Sequence, residues 1–243
     1  MRRFGLIGKT LSHSFSKNYF TQKFAQEHIN NCRYDLFELK TIEDLPALLV
    51  SHPDLEGLNV TIPYKQEVIP YLDETSDVVQ EIGACNCIKI TSGKLKGFNT
   101  DVVGFKNSLE PHLLPVHNKA LILGTGGAAK AVQYALKQLH IEYKLVSRRK
   151  TSEGLGYEDI GEEILDQYPL IINTTPLGTY PNVDEAPPIS YQYLSPSHLL
   201  FDLVYNPAKT KFLQNGEKQG ARIANGHEML VLQAEESWRI WNS

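Results

Sequence analysis

Four groups of residues in this chain combine types and spacings that can do chemistry. The first is Gly124-Thr-Gly126-Gly127-Ala128-Ala129, directly behind the apolar residues 120–123. Gly124 permits a tight turn, Gly126 lets backbone approach a pyrophosphate, and Ala129 allows a helix to pack closely on the strand before it. A helix starting there offers free N–H groups and the positive end of its dipole to phosphates. A plain strand-to-helix turn can carry glycines too, but the strand–loop–helix context points to a dinucleotide. The second group is Ser147-Arg148-Arg149-Lys150, where the next strand ends. A chain that binds NAD usually places Asp or Glu there for the ribose 2′-hydroxyl. Guanidinium groups instead pair with a 2′-phosphate, so the expected cofactor is NADP. A solvated basic turn is the simpler alternative. The third group lies at polar strand ends, in Asn59-Val-Thr61-Ile-Pro63-Tyr-Lys65 and Asn99-Thr100-Asp101. A Lys and an Asp from two strand ends, meeting in a cleft between domains, could hold a proton ready for transfer. Ser12-His-Ser14-Phe-Ser16 stands before a helix, where hydroxyls either cap it or bind a carboxylate with help from the dipole.

These groups need elements to position them, and hydrophobic periodicity supplies a set. Short apolar strands are expected at 3–7, 33–39 and 57–62, the last stopped by Pro63. Helices are expected at 17–27 and 42–50. Residues 85–89 and 95–98 flank Ser92-Gly93 and read as a hairpin. A second unit begins near residue 105. There, 106–118 with Pro111 and Pro115 reads as a helix end plus linker. Strands at 120–123, 143–147, 170–173 and 199–204 and a helix at 130–140 follow. That alternation predicts an α/β protein with a doubly wound nucleotide-binding domain. Residues 228–241 form a helix with Leu230, Ala234, Trp238 and Trp241 on one face, the pattern of a core contact.

Composition narrows the alternatives. The chain has 243 residues, enough for one or two domains with a sizeable core. With 42% hydrophobic residues and a formal net charge of −4, it is neither disordered nor a nucleic-acid binder working by a global basic field. No apolar run reaches about 18 residues, so no membrane helix is expected. The first residues are too polar for a secretory signal, and a cytoplasmic location is expected. The 3 cysteines, Cys32, Cys85 and Cys87, make no disulfide framework, and the 8 histidines are scattered, so no metal site is expected.

In order along nearly the whole chain, seven motifs resemble the shikimate dehydrogenase family. They are His13-Ser14-Phe-Ser16, Asn59 to Lys65, Gly83-Ala84-Cys-Asn86, Gly97-Phe-Asn99-Thr100-Asp101-Val-Val-Gly104, the Gly124 loop, Asp202-Leu-Val-Tyr205-Asn206-Pro207, and Gly226-His-Glu-Met229-Leu-Val-Leu-Gln233. The resemblance implies a two-domain α/β fold: a substrate domain with a mixed sheet over 1–104, and a Rossmann-type NADP domain over 105–225. The C-terminal helix, 226–243, would return to the substrate domain. It implies reversible NADPH-dependent reduction of 3-dehydroshikimate to shikimate, in aromatic amino-acid biosynthesis, by a monomer or homodimer. A quinate/shikimate enzyme with relaxed substrate or cofactor choice is the alternative, and a catalytically silent nucleotide sensor is disfavoured by the presence of Lys65 and Asp101. Carried over by motif, Ser14 and Ser16 would bind the substrate carboxylate, and Thr61, Asn86, Asp101, Tyr205 and Gln233 would contact the substrate. Lys65 would be the acid/base or charge-stabilising group, paired with Asp101. Gly124, Gly126, Gly127 and Ala128 would cradle the pyrophosphate, and Ser147, Arg148 and Arg149 would hold the adenosine phosphate. Asn173 and Thr174 would line the cofactor side, and Gly226 would approach the nicotinamide. The chain departs from the family pattern at Lys17, where Pro is usual, at Cys87, where Thr is usual, and at Ser147-Arg148-Arg149, where Asn-Arg-Thr is usual.

Overall fold

Each expected strand that carries a polar end also carries an apolar middle, and these middles build two separate sheets. The computed structural model describes residues 1–12, 14–150 and 154–243, so His13 of the serine motif lies outside the described residues. The chain divides into two compact units, one of residues 1–100 and 233–243, the other of residues 101–232.

The first unit holds β1 (Arg2–Gly8), α1 (Phe15–Gln26), β2 (Cys32–Glu38), α2 (Leu45–Ser51), β3 (Leu55–Val60), β4 (Glu74–Thr75), α3 (Asp77–Ile82), β5 (Cys87–Thr91) and β6 (Lys94–Phe98). Its sheet runs in the order β2-β1-β3-β5-β6-β4. β2 and β3 flank β1 in parallel, whereas β5 pairs antiparallel with both β3 and β6, so the sheet is mixed. Alternation in β1 and β3 sends side chains to both faces. Ile7, Leu58 and Val60 join Leu45 and Tyr64 in one buried cluster, while Phe4, Leu6, Phe20 and Tyr34 join Trp241 in another. Trp241 stacks on Phe4 at 4.8 Å and donates its indole N–H to the Ile88 carbonyl at 3.0 Å. Truncating a buried aromatic of this kind costs roughly 3–5 kcal/mol. That contact ties the chain's last helix into this unit.

The second unit holds α4 (Asp101–Leu109), β7 (Lys119–Leu123), α5 (Gly127–Gln138), β8 (Glu142–Ser147), β9 (Leu155–Gly156), α6 (Glu162–Gln167), β10 (Leu170–Asn173), β11 (Leu199–Asp202), α7 (Lys211–Lys218) and β12 (Arg222–Asn225). The final helix α8 (His227–Trp241) begins here and ends in the first unit. The sheet order is β12-β11-β10-β7-β8-β9, and every pair is parallel. Counted from β7, that is the doubly wound dinucleotide-binding order, with the winding reversing between β7 and β10.

One expectation about this unit changes. Asp101 does not end a strand: it opens α4, whose Val102, Phe105 and Leu109 are buried. A carboxylate in the first turn of a helix is favoured by the dipole, and Pro111 then limits how far the helix runs. The helix end expected within 106–118 is there, as α4 closes at Leu109. Helices α6 and α7 and strands β9 and β12 of this unit, like α3 and β4 of the first, were not expected. They are short, and α7 contains Gly216, which weakens its helical signal.

Candidate active site

In the first unit, the serine motif starts α1. Ser14 is the N-cap, and its hydroxyl accepts from Lys17 N at 3.2 Å. Ser16 lies in the first turn; burial raises the pKa of the Tyr34 phenol, and the Ser16 side chain near it opposes that rise. Thr61 follows β3, its N–H donating to the Ile7 carbonyl at 3.0 Å. The chain then turns, with Tyr64 N donating to the Thr61 carbonyl at 2.9 Å. The Tyr64 phenol is 2% exposed and anchors on the Leu39 carbonyl at 2.8 Å. Lys65 therefore leaves a backbone fixed on one side by Tyr64 and on the other by a 2.7 Å bond from Cys85 N to its own carbonyl.

Asn86 is buried and meets Thr100 twice: its carbonyl oxygen accepts from Thr100 N at 2.7 Å, and its amide nitrogen donates to Thr100 Oγ1 at 3.0 Å. Thr100 Oγ1 also touches Ser237 Oγ at 3.3 Å, and Ser237 donates to the Gln233 carbonyl at 2.9 Å. Asn59 closes this network, accepting from Tyr34 at 2.8 Å and donating to Ser237 at 2.9 Å. The structure thus links Asn86 to the Gln233 turn of α8 through Thr100 and Ser237, with Asn59 and Tyr34 joined to the same network. Of these four, sequence reading noted Asn59 and Thr100 as strand-end polar residues and missed the other two. Ser237 had a faint signal, standing one turn after Gln233 on an otherwise apolar face. Cys85 and Cys87 are buried thiols in no disulfide, and burial pushes the Cys87 thiol up. Among the described residues, no group of three or more His, Cys, Asp or Glu could hold a metal.

In the second unit, the glycine loop sits at the reversal of the winding. Gly124 has φ +112°, and a Cβ there would lie 2.7 Å from Thr174 Oγ1. Both the backbone and the close approach therefore require glycine. Thr174 N and Oγ1 both donate to the Leu123 carbonyl, at 2.9 and 2.8 Å. Gly126 caps α5, and nothing lies within 4 Å of a Cβ built on Gly126 or Gly127. That open space above exposed helix N–H groups fits a dinucleotide pyrophosphate, with Ala128 exposed on the same turn.

At the end of β8, the Ser147 hydroxyl donates to the Arg149 carbonyl at 2.5 Å and so shapes the turn. Arg148 and Arg149 are exposed. Lys150 pairs with Asp159 at 2.9 Å, and that bond lowers the Asp159 pKa. Tyr157 lies close enough to Arg148 for its phenol to feel that charge, although burial pushes its pKa up overall.

Asn173 is fully buried, its amide committed to Asp202 at 2.9 Å and its carbonyl oxygen to Thr175 N at 3.0 Å. Tyr205 is 37% exposed. A Cβ at Gly226 would lie 2.2 Å from the Leu203 carbonyl oxygen, so the glycine lets the turn before Tyr205 close against β12's end. Asp202 opens one of the seven motifs, and its role is not legible from the motif alone. Its signal is a charge inside the apolar stretch from 199 to 204.

Burial raises the Asp202 carboxyl from 3.8 to about 6, while bonds from Thr210, Val204 and Asn173 oppose the rise. The unfolded chain ionises this group first, so its contribution to stability is full below the unfolded value and is lost as pH rises through the folded one. Two pKa units correspond to about 3 kcal/mol. Asp202→Asn should therefore gain on the wild type by up to about 3 kcal/mol between roughly pH 4 and pH 7. Urea unfolding of both proteins across that range measures the gap, and a gap independent of pH would contradict the assignment.

Comparison with known proteins bears on the family. The shikimate dehydrogenase substrate-binding domain model matches residues 6–88. A protein named shikimate dehydrogenase (NADP(+)) from Clostridium beijerinckii is 38% identical, over 99% of this chain and 92% of its own. The chain belongs to the shikimate dehydrogenase family. Shikimate dehydrogenase 1 from Peptoclostridium difficile superposes with a TM-score of 0.84 at 36% identity, covering 100% of this chain and 92% of that one. The Thermus thermophilus shikimate 5-dehydrogenase, solved in complex with NADP(H) and shikimate, gives 0.86 at 29% identity, over 99% and 93%. Family membership accounts for the two sheets of different winding: a mixed sheet in the unit that the substrate-domain model matches, and an all-parallel one in the other.

Proposed function

We propose that this chain catalyses the reversible NADP-dependent interconversion of shikimate and 3-dehydroshikimate, as an oxidoreductase of aromatic amino-acid biosynthesis. The observation that carries the reading is the glycine loop at the reversal of an all-parallel sheet whose next strand ends in Ser147-Arg148-Arg149, in a chain of this family. When bound, the cofactor supplies or accepts the hydride. The chain's own residues do the rest. Gly126, Gly127 and Ala128 offer N–H groups to the pyrophosphate, and Arg148 and Arg149 meet the 2′-phosphate. Thr174 lines the cofactor side, and the buried Asn173 shapes that loop from below. Ser14 and Ser16 hold the substrate carboxylate, while Thr61, Asn86, Tyr205 and Gln233 fix the ring. Lys65 delivers the proton, or positive charge, to the oxygen that becomes an alkoxide, and Asp101 orients it. The protein works in the cytoplasm as a monomer or homodimer. No helix among the described residues is long and apolar enough to cross a membrane.

The test is a spectrophotometric assay of the purified protein with shikimate and quinate, each with NADP and NAD. Turnover of shikimate with NADP is expected. Turnover of quinate alone would move the protein to a different substrate.

The serine motif gives a second measurable outcome. Ser16→Ala removes a hydrogen bond to a charged group, about 1.5–3 kcal/mol, and should raise the shikimate KM roughly ten- to hundredfold. Ser14→Ala should do likewise and also lower stability by about 1 kcal/mol, because Ser14 caps α1. An unchanged KM in Ser16→Ala, with NADP affinity intact, would leave the motif a helix cap only.

A further inference from the structure

Asp202 is 0% exposed, lies outside the residues given roles above, and holds three elements at once. Its Oδ1 accepts from Asn173 Nδ2 at 2.9 Å and from Val204 N at 3.0 Å. Its Oδ2 accepts from the Thr210 hydroxyl. The first bond orients the Asn173 amide so that its carbonyl oxygen receives Thr175 Oγ1 at 2.6 Å and Thr175 N at 3.0 Å. Residues 174 and 175 then stand against Gly124, with Thr175 Cγ2 only 3.1 Å from where a Cβ on that glycine would be. The second bond sets the turn that leads from buried Val204 to exposed Tyr205, the same turn whose Leu203 carbonyl rests against Gly226. The third holds Thr210, the N-cap of α7, whose hydroxyl oxygen accepts from Leu213 N at 3.4 Å.

A buried carboxylate is a poor device for stability alone, since apolar side chains of similar volume commonly do as well or better. What it offers is several acceptor positions at one fixed point. Two of them serve the cofactor-side loop and the Tyr205 turn, which come from different strands of the same sheet. We propose that Asp202 is a positioning residue that sets the loop after β10 and the turn bearing Tyr205 in one register, so that cofactor and substrate contacts are aligned together. The inference rests on the roles proposed above for Thr174 and Tyr205. Charge is not what the arrangement requires. An asparagine can place its carbonyl oxygen toward Asn173 and Val204 and its amide toward Thr210.

The experiment uses the full chain and four variants: Asp202→Ala, Asp202→Asn, Thr210→Val and Asn173→Ala. NADP Kd is read by calorimetry, shikimate KM at saturating NADP, and Tm by thermal melting. Asp202→Ala should raise both NADP Kd and shikimate KM about tenfold or more, whereas Asp202→Asn should keep both within about threefold of wild type. Thr210→Val cuts only the α7 arm, so it should lower Tm and leave both constants within about twofold. Asp202→Ala with both constants unchanged would overturn the proposal, as would Thr210→Val raising them equally. Should Asp202→Ala fail to fold, Asn173→Ala decides: a tenfold weaker NADP Kd than in Thr210→Val supports the inference, and equal values reject it. A wild type that binds NADP but does not oxidise shikimate would refute the proposed function, while the Kd comparison would still judge Asp202. A wild type that binds neither would reject both.

Discussion

Replacing Lys65 with alanine should lower kcat by roughly 10²–10⁴-fold, the usual worth of a positioned proton-transfer group. Shikimate KM should move far less, because the roles proposed above assign the ground-state contacts to Ser16, Asn86 and Gln233 rather than to the ammonium. The surroundings make this a clean measurement. Tyr64, buried and bonded to the Leu39 carbonyl, holds the turn before position 65. The Cys85 N–H holds the Lys65 carbonyl itself. Neither bond involves the lysine side chain, so the turn survives its loss. Steady-state kinetics with a parallel thermal melt is the check. A folded variant that keeps half of the wild-type kcat removes Lys65 from the mechanism. A variant with low kcat and a collapsed melting temperature says only that the side chain supports the fold, and Lys65→Met, which keeps most of the stem, then separates the two roles.

Cofactor choice should be nearly as sensitive to one residue. NADP differs from NAD by a 2′-phosphate, and β8 ends without a carboxylate to repel it. A guanidinium forked onto that phosphate contributes about 1.5–3 kcal/mol. Two guanidiniums do not add fully, since they share one anion. The expected preference in kcat/KM is therefore at least about tenfold to a hundredfold for NADP. Arg148→Ala should erase most of it while leaving NAD kinetics nearly unchanged, because NAD lacks the group being held. Arg149→Ala should matter less. Lys150→Ala should matter least, since its ammonium is already bonded to Asp159 at 2.9 Å. Added salt should weaken NADP more than NAD, because both arginines are exposed. Equal efficiency with the two cofactors in the wild type would defeat this reading and favour a dual-specificity quinate/shikimate enzyme.

Much of this protein can be read from local pattern. The apolar runs behind Gly124 and around Ile171 could only be buried strands, because strands covered on both faces need no polar alternation. The spacing of Gly124, Gly126 and Ala129 reports a backbone requirement, and such requirements are local: φ +112° at Gly124 excludes a side chain whatever the rest of the chain does. Ser14 likewise announces a helix start, as a hydroxyl before a helix usually does. Charge type at the end of β8 is also local, which is why NADP could be expected before any geometry. The limits are equally physical. Asp101 sits beside a strand end in sequence, but the helix it opens is decided by burial of Val102, Phe105 and Leu109. Strand β12 and helix α7 are too short and too polar to stand out, and they form because the sheet edge and the cap at Thr210 give them partners. The polar network is the clearest case. Tyr34, Asn59, Asn86, Thr100 and Ser237 come from distant parts of the chain, and no spacing rule relates them. The same holds for Asp202 with Asn173 and Thr210. Sequence by itself determined which residues can donate, accept or approach closely. Only the tertiary structure decided which of them meet, because a buried hydrogen bond depends on where the chain has already been brought by its apolar core.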